Sequence, residues 1–274
     1  MKKINRRSFL AAAGLTAAAL ALTACGGSAS STASSTASSA AVSTSAAAEL
    51  TTVEAGKLTM ATNAAFPPYE MTTDAGEFEG IDIDTAKAIA EKLGLELQID
   101  DMDFDAALLS VQQGKADIVM AGVTVTDERK AVMDFSDSYA TGIQSIIVPE
   151  GSDITSPDDL AGKKIGTQRG TTGYIYCSDD FGDDAVVAYD DGLTAVQALN
   201  NGQVDAVVID NAPAKEFVAA NPGLVILDTS YAEEDYAIGL AKGSALEDAV
   251  NAALEELKAD GTLQSIVDKY ITAA

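Results

Sequence analysis

The chain has 274 residues, 47% of them hydrophobic, with 17 Lys and Arg against 42 Asp and Glu and no histidine. That length holds two medium domains or one large one around a sizeable core. The formal net charge of −25 argues against nucleic acid or an anionic membrane surface as partner. The missing imidazole excludes Ser-His-Asp and Cys-His catalysis and histidine-held metal; neither a metal nor a cofactor is expected.

Lys2, Lys3, Arg6 and Arg7 precede the apolar run Phe9 to Ala24, which reads as a signal peptide over residues 1–24, too short for a typical spanning helix. The Arg6-Arg7 pair also resembles a twin-arginine export signal. Leu22-Thr23-Ala24-Cys25 resembles a bacterial lipobox. That resemblance implies that Cys25 is lipidated (palmitate among its acyl chains) and begins the mature protein on the outer face of a cytoplasmic membrane, in a Gram-positive cell. Residues 25–49 are almost wholly Ser, Ala and Thr, with no charge before Glu49. Such a segment cannot bury a core and reads as a tether. Two cysteines, Cys25 and Cys177, make no disulfide framework; Cys177 is expected to be an ordinary structural thiol.

The folded body begins near Leu50. Lys57 to Thr62 reads as a strand, Asp84 to Leu93 as a helix with Ala86, Ile89, Ala90 and Leu93 on one face, stopped by Gly94. Leu95 to Ile99 reads as a strand, Asp105 to Gln113 as a helix stopped by Gly114, and Ile118 to Ala121 as a further strand. This alternation implies right-handed βαβ units and a parallel sheet. The pattern then repeats. Ala107–Gly122 aligns without a gap on Ala195–Asp210 at an offset of 88 residues, Gly114 on Gly202 and Asp117 on Asp205. Lys57–Met60 and Lys164–Thr167 similarly open each half. Two α/β lobes built alike are expected. Near the C-terminus, Tyr236 to Ala241 reads as one strand. Ser244 with Glu247 reads as a capping box opening a helix with the stripe Leu246, Val250, Leu254 and Leu257. A last helix, Leu263 to Ile271, turns Leu263, Ile266, Val267 and Tyr270 inward.

Beyond the N-terminal segment there are two arginines, Arg129 and Arg169. Arg129 follows an apolar strand end, Gly122, Thr124 and Thr126. An arginine fork with hydroxyls and backbone N–H groups nearby suits a carboxylate; a surface pairing with Asp127 or Glu128 is the plainer alternative. Ligands of open α/β sheets bind beyond the carboxyl ends of strands. The equivalent ends here are Gly122, leading to Arg129, and Asp210. If these ends face one cleft, a cation and an anion meet there, which suits a zwitterion such as an α-amino acid.

Four stretches, FPPYEM (66–71), GIDIDTAKAIAEKLG (80–94), GVTVTDERKAVMDFSDSY (122–139) and VDAVVIDNAPA (204–214), resemble the substrate-binding lipoproteins of polar amino-acid ABC transporters, solute-binding protein family 3 of the glutamine/histidine/arginine type. The resemblance spans about Leu50 to Ala274. It implies a type II periplasmic-binding-protein (Venus flytrap) fold, with two lobes of mostly parallel sheet flanked by helices and two crossing strands as hinge. Lobe one would be 50–139 plus 235–274 and lobe two 140–234, with crossings near Gly142–Val148 and Asp228–Gly239. Residue by residue, it implies that Arg129 binds the ligand α-carboxylate with the Thr124 backbone and hydroxyl and Thr172. Gly122 and Asp210 would hold the α-ammonium. Phe66 and Phe104 would flank the side chain, and Asn63, Gln168 and Asp103 would read its polar tip. Several proteins of this type carry an acidic residue where Asn63 stands. Arg169 is expected at the surface. The implied ligand is a free polar L-amino acid, with arginine, lysine, histidine, glutamine and cystine left open. The implied partner is an ABC permease, and a monomer is expected. Two alternatives remain from other classes: a sensing domain acting through a partner chain, and a dehydratase-like enzyme on the same fold.

Overall fold

The computed structural model describes residues 50–271. The signal peptide, Cys25 and the tether expected over 25–49 lie outside the described residues. Among the described residues no helix is long and apolar enough to cross a membrane.

The chain opens with β1 (Lys57–Thr62), then β2 (Ala65–Phe66), β3 (Glu70–Thr72) and β4 (Phe78–Glu79), which form a small antiparallel sheet. α1 (Ile81–Leu93), β5 (Glu96–Asp101), α2 (Phe104–Gln112), β6 (Ile118–Val119), α3 (Asp127–Lys130) and β7 (Met133–Phe135) come after it. Next come β8 (Ala140–Pro149), β9 (Ile165–Gln168), α4 (Thr172–Phe181), β10 (Val186–Tyr189), α5 (Gly192–Asn200), β11 (Ala206–Asp210), α6 (Asn211–Ala220) and β12 (Leu224–Ile226). β13 (Ala232–Tyr236), β14 (Gly239–Ala241), α7 (Glu247–Ala259) and α8 (Thr262–Tyr270) close the body.

Two sheets result. The first has the order β5-β1-β6-β14-β7, and the second β10-β9-β11-β8-β12, with β13 also paired to β8. In each, three neighbouring strands are parallel (β5-β1-β6 and β10-β9-β11) and the remainder are antiparallel. The parallel ends are βαβ units, as the helix–strand alternation predicts. The antiparallel strands enter because the chain passes between the sheets twice, before β8 and after β13. β8 and β13 run side by side, Gln144 opposite Ala232 and Ala140 opposite Tyr236.

That second passage corrects the expected strand Tyr236–Ala241. β13 ends at Tyr236 in the second sheet and β14 begins at Gly239 in the first. Gly239 is needed where the chain enters: a Cβ there would lie 2.7 Å from Val119 Cγ1. The capping box expected at Ser244 does not form either. α7 starts after Leu246, and Ser244 Oγ accepts from the Leu246 amide at 3.2 Å, two residues before the cap position a reciprocal box needs. Ser156 and Asp159 form one instead, at a surface 3₁₀ turn. α1 starts three residues before Asp84. Gly80 precedes it with φ 133, where a Cβ would meet the Tyr69 carbonyl oxygen at 2.1 Å. Its second residue, Asp82, is buried rather than facing water. α7 buries Val250, Leu254 and Leu257 as its stripe predicts, with Leu246 buried just before it. Of α8, Leu263 is buried while Ile266, Val267 and Tyr270 are half-buried against the same core.

Candidate functional site

The site lies where strands of both sheets end. Asn63 follows β1, Gly122 lies just past β6, Gln168 ends β9 and Asp210 ends β11. These four, with Phe66, Phe104, Thr124, Arg129 and Thr172, line one cavity; Glu70, Ala121 and Thr171 complete it. Every ligand-contact residue expected from the sequence is thus at one place, except Asp103. That aspartate precedes α2 with its side chain exposed and does not line the cavity. The cavity measures about 10 Å³, room for roughly one water.

Gly122 turns the chain with φ 55, and a Cβ there would stand 2.9 Å from Phe66 Cε1. Its amide donates to Asp82 Oδ2 at 3.0 Å, and Asp82 Oδ1 accepts from the Tyr139 hydroxyl at 2.7 Å. The buried first turn of α1 therefore anchors the strand end. Thr126 caps α3, its Oγ1 accepting from the Arg129 amide at 3.1 Å, and this fixes where the Arg129 side chain starts.

Arg129 is 8% exposed. Its Nη1 donates to the Thr124 carbonyl at 2.8 Å and its Nη2 to the Gly170 carbonyl at 3.1 Å, so it touches backbone of both sheets' loops. The guanidinium carbon lies 5.4 Å from the Phe104 ring centre. Among the described residues no carboxylate lies within ion-pair distance of it. Burial draws its pKa down, opposed first by the charge of Glu234. A buried cation without a direct counter-ion is costly in a folded protein, and a bound anion relieves that cost.

Asp210 carries the opposite charge. Burial pushes its carboxyl up to about 7, against hydrogen bonds from the Tyr236 hydroxyl and from Gln144 Nε2; the Gln144 bond is 2.8 Å long. Across the cleft Gln168 Nε2 donates to Asn63 Oδ1 at 2.8 Å, while Asn63 Nδ2 donates to the Met102 carbonyl at 3.0 Å. Phe66 is 6% exposed and stacks on Tyr69 with ring centres 5.9 Å apart.

The sequence reading missed several groups. Glu70 is fully buried, and burial first, then the charge of Asp82, holds its carboxyl well above the usual range. Asp82 is pushed up to about 6 by burial. Glu70 stands inside the motif FPPYEM, so its position was visible while its burial was not. Glu234, Gln144 and Tyr236 form a buried network behind the cavity wall. Within it the Thr124 and Thr172 hydroxyls donate to Glu234. Arg169 is at the surface, its side chain 53% exposed and 3.6 Å from Asp190. Cys177 is buried and unpaired, with its thiol pushed up to about 12 by burial. A thiol in that state is inert.

Residues 58–273 match the family described as bacterial extracellular solute-binding proteins, family 3. The probable histidine-binding protein of Neisseria gonorrhoeae is 33% identical over 97% of this chain and 96% of its own length. The arginine-, lysine-, histidine-binding protein ArtJ of Geobacillus stearothermophilus superposes with a TM-score of 0.76 at 34% identity, covering 79% of this chain and 96% of that one. An ancestral arginine-binding protein, solved with glutamine bound, superposes with a TM-score of 0.76 at 43% identity over 80% of this chain and 99% of its own.

Proposed function

This chain belongs to the bacterial extracellular solute-binding proteins of family 3, and from that premise we propose the ligand, the roles of the site residues and the anchorage. It is an amino-acid-binding component of an ABC importer on a type II periplasmic-binding-protein fold. The proposed ligand is a free polar L-amino acid, with a basic side chain preferred. Relatives named for histidine and for arginine, lysine and histidine support that choice. So does the local charge, since the carboxylates Glu234 and Asp210 both act on one cation, Arg129. The neutral amides Asn63 and Gln168 read the far end of the side chain, and they leave glutamine within reach, as in the ancestral relative.

One observation carries the reading: a buried arginine with no carboxylate in ion-pair distance among the described residues and a buried aspartate line the same cavity. Arg129 takes the α-carboxylate through its fork. Asp210, with the Gly122 carbonyl, takes the α-ammonium. Phe66 and Phe104 wall the side chain. A cavity of about 10 Å³ does not admit an amino acid, so the lobes part to load and close again around the ligand. The contacts that open are Arg129 to Gly170, Gln168 to Asn63, and the 3.5 Å approach of the Thr124 and Thr172 hydroxyls. The lobes are 50–139 with 235–274, and 140–234, hinged on β8 and β13. The closed monomer docks on its permease, held to the outer membrane face of a Gram-positive cell by lipid on Cys25.

The test is calorimetric titration of the purified protein, unfolded and refolded to strip carried ligand, against the twenty amino acids plus cystine and ornithine. Tight binding of one or a few polar amino acids is expected. Silence across the panel from folded protein would overturn the reading.

A further inference from the structure

Glu234 stands on β13, 6% exposed and outside the cavity lining. Its Oε2 accepts from Thr172 Oγ1 at 2.9 Å, Gln144 Nε2 at 3.0 Å and Thr124 Oγ1 at 3.1 Å. Thr124 comes from the loop after β6, Thr172 from the first turn of α4, and Gln144 from β8. Three elements thus converge on one carboxylate oxygen from behind the site. A hydroxyl has one proton and two lone pairs. Both threonines spend the proton on Glu234, so each hydroxyl has only lone pairs left to offer, one of Thr172's already facing Gln144 Nε2 at 3.4 Å, and both residues line the cavity. Gln144 fixes the arrangement. Its Nε2 also donates to Asp210 Oδ2 at 2.8 Å, and the reverse amide orientation would set a carbonyl oxygen against two carboxylates.

From this we infer that Glu234 is a positioning residue for specificity: it makes Thr124 and Thr172 hydrogen-bond acceptors, which join Asp210 in a wall that accepts but does not donate. Such a wall suits the three N–H donors of an ammonium group. It leaves one acceptor after another unpaired when the ligand lacks the amine. A site built to bond a polar group rejects the analogue without it far more strongly than an apolar pocket rejects a size change. The inference rests on the amino-acid reading above and assigns the hydroxyls to the amine end, leaving the carboxylate to Arg129 and backbone.

The probes are L-arginine and 5-guanidinopentanoic acid, the same molecule without its α-amine, titrated into the full protein and its Glu234→Gln variant. The glutamine amide can donate to the hydroxyls and free them to turn. The expected result is a fall of roughly ten-fold or more in the arginine-to-analogue affinity ratio, the scale of one hydrogen bond to a charged group. The loss should come from weaker arginine binding. Thr172→Val removes one acceptor and leaves Glu234 in place, and it should lower the ratio similarly. An unchanged ratio in both variants would overturn the inference and leave the amino-acid reading standing. If the wild type binds neither L-arginine nor any other amino acid of the panel, the functional reading fails. The hydroxyl bond to Glu234 is then read from melting temperatures: Thr172→Val should matter less in the Glu234→Gln background than alone. Strictly additive shifts would overturn the bond itself.

Discussion

The two sheets share one plan up to their strand ends and differ from there on. At an offset of 88 residues α2 (Phe104–Gln112) falls on α5 (Gly192–Asn200) end for end. Gly114 and Gly202 come next with φ 66 and 67. Asp117 accepts from the Thr59 amide at 2.7 Å, and Asp205 accepts from the Lys164 amide at 2.7 Å. Each aspartate ties the start of one parallel strand to its neighbour. Met60 pairs with Ile118 as Ile165 pairs with Ala206, so three residues on Asn63 corresponds to Gln168, just as Gly122 corresponds to Asp210. These two equivalent pairs are the four strand ends of the site. The difference lies in the segments after β1 and β9. The first sheet inserts β2–β4 before α1 and so contributes Phe66 and Glu70. The second passes from β9 to α4 within three residues, setting Thr171 and Thr172 at the cavity. A repeated scaffold thus brings strand ends together; the insertion after β1 adds Phe66 to the wall, the short loop after β9 adds hydroxyls, and the opposite charges come from Arg129 beyond β6 and Asp210 at the end of β11.

Removing the cationic end should break this division most completely. Arg129→Ala is expected to cost roughly 2–5 kcal/mol of amino-acid affinity, since a ligand carboxylate is then buried unpaired. Calorimetry reads it, and near-native affinity would separate Arg129 from the carboxylate. On the opposite side, Asp210→Ala should weaken amino acids by about 1.5–3 kcal/mol, the scale of a bond to a charged group. It should barely affect carboxylic acids lacking the amine. Equal losses for both would remove Asp210 from the ammonium site.

Asp210 also sets a pH dependence that Arg129 does not. Its folded-state pKa of about 7 lies above the usual 3.8, so burial favours the protonated form. Its contribution to ligand-free stability is fully present below pH about 4. It falls as pH rises and is lost once pH passes the folded value. Ligand affinity should run the other way, weakening from pH 8 to pH 5 as the ammonium partner is protonated. Asp210→Asn should flatten the descent of ligand-free melting temperature between those limits. An equal slope in wild type and variant would assign the titration elsewhere.

Smaller effects test the equivalent pair. Gln168→Ala removes the bond to Asn63, worth about 0.5–1.5 kcal/mol. It should raise the radius of gyration of the ligand-free protein in small-angle scattering by favouring the open form. Arg169→Ala, beside it but exposed, should leave affinity within about two-fold, because such surface pairs contribute little.

Much of this architecture was legible because it is periodic or local. The α2 and α5 stripes, their glycine stops and the aspartates just beyond them repeat at a fixed spacing. The nine expected residues that line the cavity sit in short motifs at or just beyond strand ends. Two kinds of feature were not legible. Tyr236 to Ala241 is one apolar run, yet it divides between two sheets at Ala237 and Ile238, and no local pattern marks a change of sheet. The parallel between Lys57 and Lys164 suggested by the sequence is slipped by two residues, since the ladder puts Thr59 beside Asp117 as Lys164 is beside Asp205. The Glu234, Gln144 and Thr172 network joins residues up to 90 positions apart. In the sequence Glu234 is one of 42 acidic residues, within a stretch that reads as solvated surface. Only burial by the second crossing strand distinguishes it.

The central claim is that one cavity holds both ends of an amino-acid head, Arg129 at one and Asp210 at the other. It is tested most directly by titrating the wild-type protein with its tightest amino acid and with that molecule's decarboxylated and deaminated analogues. The account predicts that each truncation weakens binding by roughly ten-fold or more. An analogue lacking either group that binds as tightly as the amino acid would contradict it.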